Sequence, residues 1–299
     1  MPRSARLDAP GALHHVMGRG IERRNIFRSA VDRKDFVERL ASLTADDGMA
    51  IYAWVLMRNH FHLLCKTKQR PLSSSMRQLL TGYVVNFNKR HKRHGYLFQN
   101  RYKSIICQED AYFTELVRYI HLNPLRAGVV KDVPSLNKYK WSGHAALTGH
   151  INGVWQDTDY VWSFFGRRAD DAKKQYLEFV TQGIAQGQRP ELVGGGLVRS
   201  LGGWSEVMSL RRRERQERFD QRILGDGDFV EAVLSEADGV DQANFRLADD
   251  RPPLAKLAAS VCRVHGVSVA ALRSGSRRRA ITEPRRVLCW LAVRELGYS

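Results

Sequence analysis

The 299-residue sequence lacks the features of a secreted, membrane-bound or metal-finger protein. Its four cysteines lie far apart and form no Cys-x-x-Cys pair, which argues against a zinc ribbon or a disulfide framework. We expect these cysteines to be buried, reduced thiols. No apolar run is long enough to span a bilayer, and the first residues lack the apolar stretch of a secretory signal. These absences predict a cytoplasmic protein with no membrane partner.

Acidic residues are scarce in the first half of the chain. The whole sequence has 48 Lys and Arg against 31 Asp and Glu, a net charge of +17. Residues 1–150 hold 25 of the cations and 11 of the acids, or +14, whereas residues 151–299 hold 23 and 20, or +3. Nine of the ten histidines also lie in the first half. A charge of this size exceeds what solubility requires, so it predicts that the first half binds a polyanion.

Hydrophobic periodicity predicts alternating strands and helices from the start of the chain. Residues 13–17 alternate as a strand that the following glycines should end. Residues 31–43 and 73–87 have the apolar spacing of amphipathic helices. Between these helices, the apolar run at 51–65 has the composition of a strand.

The next segment continues this pattern. Short strands are expected at 96–98 and 102–107, where aromatic residues alternate with Lys and Arg. A helix should begin at Asp110 and end before Pro124, because proline disfavours a helical residue before it. Strands and helices in this order predict an α/β or α+β sandwich, with helices packed against a sheet.

Three regions are predicted along the chain. The basic region 1–150 should be the functional domain, and 151–250 a helical connection of unknown role. The last region, 251–299, contains helical patterns at 254–265 and 282–296.

Two histidines, His60 and His62, are the most informative residues of the apolar run. Strand side chains alternate between faces, so both imidazoles should point the same way and could hold a divalent metal. The helix that follows carries Tyr119 and Asn123, four residues apart and therefore on one helix face. Such a nitrogen and oxygen set without thiolate favours Mg²⁺ or Mn²⁺ over structural zinc.

A hard cation beside a basic groove indicates phosphoryl transfer, in which a tyrosinate attacks in line and the cation offsets the developing charge. A His-x-His pair can equally be structural, and spacing alone does not single out one tyrosine or one set of ligands. The rival nucleophiles and ligands are Tyr83, Tyr96, Tyr102, Tyr112, His121 and His144.

Four segments occur together in a recognisable order. They are HV at 15–16 with RG at 19–20 and NIF at 25–27, MRNHFHLL at 57–64, GYLFQNRYKS at 95–104, and YIHLNPLRAG at 119–128. In this combination they resemble the REP-associated tyrosine transposases, which are relatives of the single-tyrosine HUH transposases of small insertion sequences. One departure is Arg58, where relatives usually have proline.

The resemblance implies a ferredoxin-like α/β sandwich, the HUH fold, with the histidine pair on a central strand. It implies that Tyr119 is the nucleophile and that His60, His62 and Asn123 hold the metal. The implied partner is single-stranded DNA with a REP-like hairpin, cut through a 5′-phosphotyrosine that leaves a free 3′-hydroxyl. Both a monomer and a homodimer are compatible with the sequence.

The segment from 254 to 299 resembles, less closely, the DNA-binding domain of the bacterial replication initiator. The resemblance rests on HGVSV at 265–269 and SRRRAI at 276–281. In that domain a recognition helix follows, beyond the matching residues here. Phosphate contact by the arginine loop is therefore expected, rather than sequence-specific reading.

Together these features predict a metal-dependent DNA transposase or nickase associated with the nucleoid. The alternatives are a replication-type HUH nickase, a non-catalytic DNA-binding repressor of the same fold, and a small-molecule hydrolase, which would not explain the charge. The side chains expected to bind DNA are Arg19, Arg23, Arg24, Arg58, Lys89, Arg90, Lys92, Arg93, Arg101, Lys103, Arg277, Arg278 and Arg279.

Overall fold

The computed structural model describes residues 7–8, 11–45, 48–68, 70–187, 189, 192, 220–237 and 252–295. The chain forms two compact units, Met1–Leu234 and Ser235–Ser299. The first unit extends well past residue 150, because later segments add a strand to its sheet and helices to its core.

The strands of the first unit are β1 (Leu13–Arg19), β2 (Met49–Leu56), β3 (His60–Thr67), β4 (Lys103–Cys107) and β5 (Ile223–Leu224). Its α-helices are α1 (Ala30–Thr44), α2 (Leu72–Arg90), α3 (Glu109–Arg126), α4 (Val133–Asn137), α5 (His144–Leu147), α6 (Thr158–Ser163) and α7 (Ala169–Gln182). A further helix, over 227–237, includes the last residues of this unit and the first of the next. Short 3₁₀ turns occur at Ile21–Arg23 and Gly183–Gln186.

The five strands form one sheet in the order β2-β3-β1-β4-β5. The pairs β2/β3, β3/β1 and β1/β4 are antiparallel, and β5 adds to β4 in parallel. The order β1-α1-β2-β3-α2-β4 along the chain, with β1 and β3 in the centre, is the ferredoxin-like arrangement. The predicted α+β fold is confirmed, and α1 and α2 cover one face of the sheet while α3 covers the other.

The apolar run at 51–65 is a hairpin and not the single strand that was predicted. β2 ends at Leu56 and β3 begins at His60, and the Met57 N–H donates to the His60 carbonyl at 2.9 Å across the turn. Both strands are buried on both faces because helices cover the sheet on each side. Apolar residues therefore continue through the sequence where a polar interruption would have marked the turn.

Two further strand predictions were wrong in detail. Gly18 does not end β1, which continues to Arg19. A Cβ at position 18 would overlap the ring of Phe61 on the neighbouring strand, so glycine is required there by close packing. The expected strand at 96–98 is only an isolated bridge between Gly20 and Phe98. Hydrogen bonds to Leu97 and from Gln99 hold the segment against the end of β1.

Helix α3 runs through Pro124, where it was predicted to end. Proline has no N–H to donate to the carbonyl of Ile120. The side-chain amide of Asn123 donates to that carbonyl at 3.4 Å and to the Tyr119 carbonyl at 2.9 Å. The helix therefore continues for two residues beyond the proline.

The second unit contains helices at Leu254–Val264, Val269–Arg273 and Arg279–Trp290, followed by a π-helical turn at Leu291–Glu295. The first and last helices were predicted, and the short middle helix was not. Cys65, Cys107 and Cys262 are buried as expected, but Cys289 is exposed. None of the helices in the described part of the chain is long and apolar enough to cross a membrane.

Candidate active site

The alternation of β3 places His60 and His62 on the sheet face that α3 covers. On this strand Leu64 belongs to the core under α3, whereas Phe61 and Leu63 belong to the core under α1 and α2. The histidine pair therefore lies on a central strand and on one face, as predicted.

Helix α3 brings Tyr119 and Asn123 to the same histidines. The Tyr119 ring stands edge-on to two imidazoles, with centroid distances of 5.8 Å to His62 and 6.0 Å to His15. These side chains border a cleft of about 440 Å³ between β1, β3, α3 and the loop before β4. The cleft is lined by Met17, Gly18, Arg19, His60, His62, Gln99, Asn100, Tyr102, Lys103, Tyr119 and Asn123.

Hydrogen bonds orient both rings of the histidine pair. His60 Nδ1 lies 2.7 Å from Asn59 Oδ1, and the Asn59 amide nitrogen donates to the Arg23 carbonyl at 3.0 Å. The Asn59 oxygen can only accept, so His60 carries its proton on Nδ1. His62 Nδ1 lies 3.0 Å from His15 Nε2. In both rings Nδ1 is therefore engaged, and Nε2 is the nitrogen left for a ligand.

Burial keeps these imidazoles neutral at physiological pH. It lowers the pKa of His60 to about 4, and the positive charge of Arg19 acts in the same direction. Burial is also the main reason that the pKa of His62 lies well below its ordinary value, with His15 and His60 as further causes. Neutral imidazoles are the form that coordinates metals.

The site chemistry fits a divalent cation held by two imidazoles and an amide oxygen. Asn123 directs its nitrogen at helix carbonyls, because a carbonyl can only accept, and its Oδ1 is thereby turned away from the helix backbone. Within the described ranges, no three His, Cys, Asp or Glu side chains converge as a metal site. A complete ligand set would therefore need this amide oxygen, together with water or a phosphate oxygen of the DNA.

The rival tyrosines are less well placed than Tyr119. Tyr83 is fully buried in the core under α1 and α2, where its hydroxyl donates to the Ile26 carbonyl and burial raises its pKa. Tyr102 borders the cleft but is buried in the same core. Tyr96 is 85% exposed, and Tyr112 packs at the edge of the core under α3; neither borders the cleft.

The rival histidines lie away from the cleft, in a buried network. His121 and His144 contact the hydroxyl of Tyr176 on α7 through their Nδ1 atoms, at 2.8 and 2.6 Å. His121 is two residues from Tyr119 along α3, so the two side chains point to nearly opposite sides of the helix.

The predicted DNA-binding cations divide into three groups. Arg19 and Lys103 line the cleft and are exposed. Arg90 instead makes ion pairs with Asp32 at 2.5 Å and Asp35 at 3.1 Å, which tie the end of α2 to the start of α1. These carboxylates contact its guanidinium, so Arg90 has a structural role here, and its predicted contact with DNA stays a prediction. The third group holds the remaining cations. Those of the first unit do not border the cleft and are Arg23, Arg24, Arg58, Lys89, Lys92, Arg93 and Arg101. Arg277, Arg278 and Arg279 are exposed in the second unit.

Two residues near the site were not singled out from the sequence as site residues. His15 lies on β1 behind His62, and Arg126 places its guanidinium 5.6 Å from the centre of the Tyr119 ring. Burial lowers the pKa of Arg126, and its Nη2 donates to the Gly183 carbonyl at 3.3 Å. The alternation of side chains along β1 puts His15 on the same face as Leu13 and Met17, which was the sequence feature that could have identified it. The strand that pairs with β1 could not be deduced from spacing.

Part of the chain is similar to known transposases. Residues 11–123, which contain β1 to β4 and all four proposed site residues, match the family model of IS200-like transposases. The predicted resemblance to these transposases is confirmed over this range. A solved structure of a REP-associated tyrosine transposase bound to a REP hairpin is 18% identical to the chain, covering 52% of it and 90% of the other protein, with a TM-score of 0.42. No curated protein matches the chain.

Proposed function

We propose that this protein cuts and rejoins single-stranded DNA beside a REP-like hairpin, with Tyr119 as the nucleophile and Mg²⁺ or Mn²⁺ held by His60, His62 and Asn123. The observation that carries the proposal is the position of the Tyr119 ring against His62, in one cleft with the other two ligands. A phenol beside two neutral imidazoles, in a cleft that Arg19 and Lys103 make positive, suits attack on a phosphodiester.

The proposed reaction is a transesterification. The Tyr119 oxygen attacks phosphorus, the bond to the 3′-oxygen breaks, and a 5′-phosphotyrosine forms. The phenol proton is lost to solvent, and the departing 3′-oxygen takes up a proton to become a hydroxyl. When bound, the divalent cation supplies charge neutralisation on the phosphate. Because the phosphotyrosine conserves the energy of the broken bond, attack by a 3′-hydroxyl reverses the step and joins the strands without ATP.

Several side chains of the chain serve this chemistry. Arg19 and Lys103 place positive charge at the cleft, where they would bind phosphates that flank the cut. The guanidinium of Arg126 lies over the Tyr119 ring and would stabilise the tyrosinate electrostatically.

Single-stranded DNA with a hairpin is the proposed partner because of the resemblance of the four segments and the +14 charge of residues 1–150. Such a partner would place the protein at the nucleoid. A replication-type nickase would use the same site, and a repressor of this fold would not need it. The joint presence of His60, His62, Tyr119 and Asn123 in one cleft favours the enzyme over the repressor.

Metal dependence is tested by incubating the full chain and labelled hairpin DNA with Mn²⁺, Mg²⁺ or EDTA. We expect cleavage with either cation and none with EDTA. His60→Asn should abolish cleavage while DNA binding persists, because it removes the ligand Nε2. His150→Asn, which changes an exposed histidine outside the cleft, is the matched control. Cleavage in EDTA, or by His60→Asn at the wild-type rate, would contradict the proposed metal site.

A further inference from the structure

His15 contacts the proposed metal ligand His62 but has no role in the reaction proposed above. It lies on β1, next to the strand that carries His62, and is fully buried. The two imidazoles are stacked with 5.2 Å between their centres. His15 Nε2 is 3.0 Å from His62 Nδ1, and His15 Nδ1 is 3.3 Å from the carbonyl oxygen of Leu192.

The Leu192 carbonyl fixes the direction of both hydrogen bonds. A carbonyl oxygen can only accept, so His15 must carry a proton on Nδ1. A neutral imidazole has one N–H, so His15 Nε2 is then an acceptor. His62 must in turn donate from Nδ1, and its Nε2 is left unprotonated. The chain of bonds thus selects the one neutral form of His62 whose Nε2 can bind a metal.

A separate pair of hydrogen bonds fixes the proton of His60 on Nδ1 in the same way. Its Nδ1–H donates to Asn59, whose amide donates to the Arg23 carbonyl. Each imidazole of the pair is therefore linked through one intermediate side chain to a backbone carbonyl. For His62 the carbonyl is that of Leu192, which comes after the 3₁₀ turn that follows α7. The Leu192 side chain is buried in the core under α3.

We propose that His15 is a positioning residue, which holds His62 in the Nδ1–H form and aims its Nε2 at the metal. The inference rests on the proposed function, in which His62 is a metal ligand. Partners of this kind fix the form and orientation of metal-binding histidines, and their loss typically weakens metal binding by about 10–100-fold.

Two substitutions separate the hydrogen bond from the volume of the ring. His15→Gln can place an amide oxygen near the position of the lost Nε2 and still accept from His62. His15→Asn reaches only to the position of Nδ1 and cannot. His14→Asn is the matched control, because His14 is the neighbouring histidine on β1, equally buried, and its side chain lies on the opposite face of the sheet.

The first measurement is made on the full chain labelled with ¹⁵N-histidine, in EDTA, by long-range ¹H–¹⁵N correlation of the His62 ring. We expect the His62 proton on Nδ1 in the wild type, in His15→Gln and in His14→Asn, and a shift toward Nε2 in His15→Asn. A wild-type His62 with its proton on Nε2 would overturn the proposal without reference to any variant.

The second measurement is the Kd for Mn²⁺, from the free-ion EPR signal. We expect His15→Asn to bind about 10–100-fold more weakly than the wild type, and His15→Gln and His14→Asn to stay within a few-fold. Equal affinity in the wild type and His15→Asn would refute the positioning role while leaving the metal site intact. If the wild type binds no Mn²⁺, the proposed metal dependence fails, and the ring-proton measurement alone decides the role of His15.

Discussion

The Tyr176 hydroxyl links α7 to α3, the helix that carries the proposed nucleophile. Tyr176 is fully buried, and its oxygen contacts His121 of α3 at 2.8 Å and His144 of α5 at 2.6 Å. His144 Nε2 lies 2.8 Å from Asn137 Oδ1, to which it donates. His144 Nδ1 therefore accepts the tyrosine proton, and His121 Nδ1 donates to the tyrosine oxygen.

Tyr176→Phe removes both bonds without changing the shape of the ring. It leaves one buried acceptor on His144 and one buried donor on His121 without a partner. Each such group costs about 1–3 kcal/mol, so we expect the free energy of unfolding to fall by roughly 2–6 kcal/mol. That loss is a large part of the stability of an ordinary domain.

Urea unfolding followed by tryptophan fluorescence measures this loss. Tyr139→Phe is the control, because its hydroxyl donates one bond to the neutral Leu56 carbonyl at 2.9 Å and the side chain is half-buried, and we expect it to cost about 0.5–1.5 kcal/mol. If Tyr176→Phe costs no more than this control, the network does not fasten α7 to α3.

Three further predictions concern pH, packing and the second unit. Burial lowers the pKa of His144 from 6.5 to about 3, so the unfolded chain binds more protons below pH 6.5. Stability should therefore fall by at least about 1 kcal/mol between pH 7.5 and 5.5, and an unchanged urea midpoint would contradict this. Gly18→Ala should cost about 1–3 kcal/mol by crowding Phe61, and Phe61→Leu in the same chain should recover part of that loss in thermal unfolding. Deleting residues 254–299 should weaken DNA binding and lower the slope of log Kd against log salt by roughly 0.7 per lost phosphate contact, with the cut position unchanged; a new cut position would show that the second unit selects the substrate.

The sequence was most informative where a pattern is local. The spacing of apolar residues located α1 and α2 to within a few residues, because one face of each helix packs on the sheet. The hairpin turn after Leu56 was missed, since burial on both faces removes the alternation that marks strand ends. The helix through Pro124 was missed because the compensating bond comes from the side chain of Asn123, which backbone rules do not include.

The same limit applies to the site. The two-residue repeat of a strand predicted that His60 and His62 share one face. The four-residue spacing on a helix predicted that Tyr119 and Asn123 share one face, and all four side chains border the same cleft. Contacts between residues far apart in the sequence could not be predicted from such spacing. The contact of His15 with Leu192 joins residues 177 positions apart, and the ion pairs that occupy Arg90 join it to another helix. The run of basic residues at 89–94 gave no sign that Arg90 pairs with two carboxylates of α1, because such pairing depends on the tertiary fold.

The central claim is that Tyr119 becomes joined to the 5′ end of the cut strand. The most direct measurement uses full-length protein, Mn²⁺ and a hairpin oligonucleotide labelled at its 3′ end in one sample and at its 5′ end in another, separated on a denaturing gel. We expect a labelled protein adduct only from the 3′-labelled strand, a free shorter fragment from the 5′-labelled strand, and neither product with Tyr119→Phe, which should still bind the DNA. An adduct that persists in Tyr119→Phe and disappears in Tyr102→Phe would contradict the account.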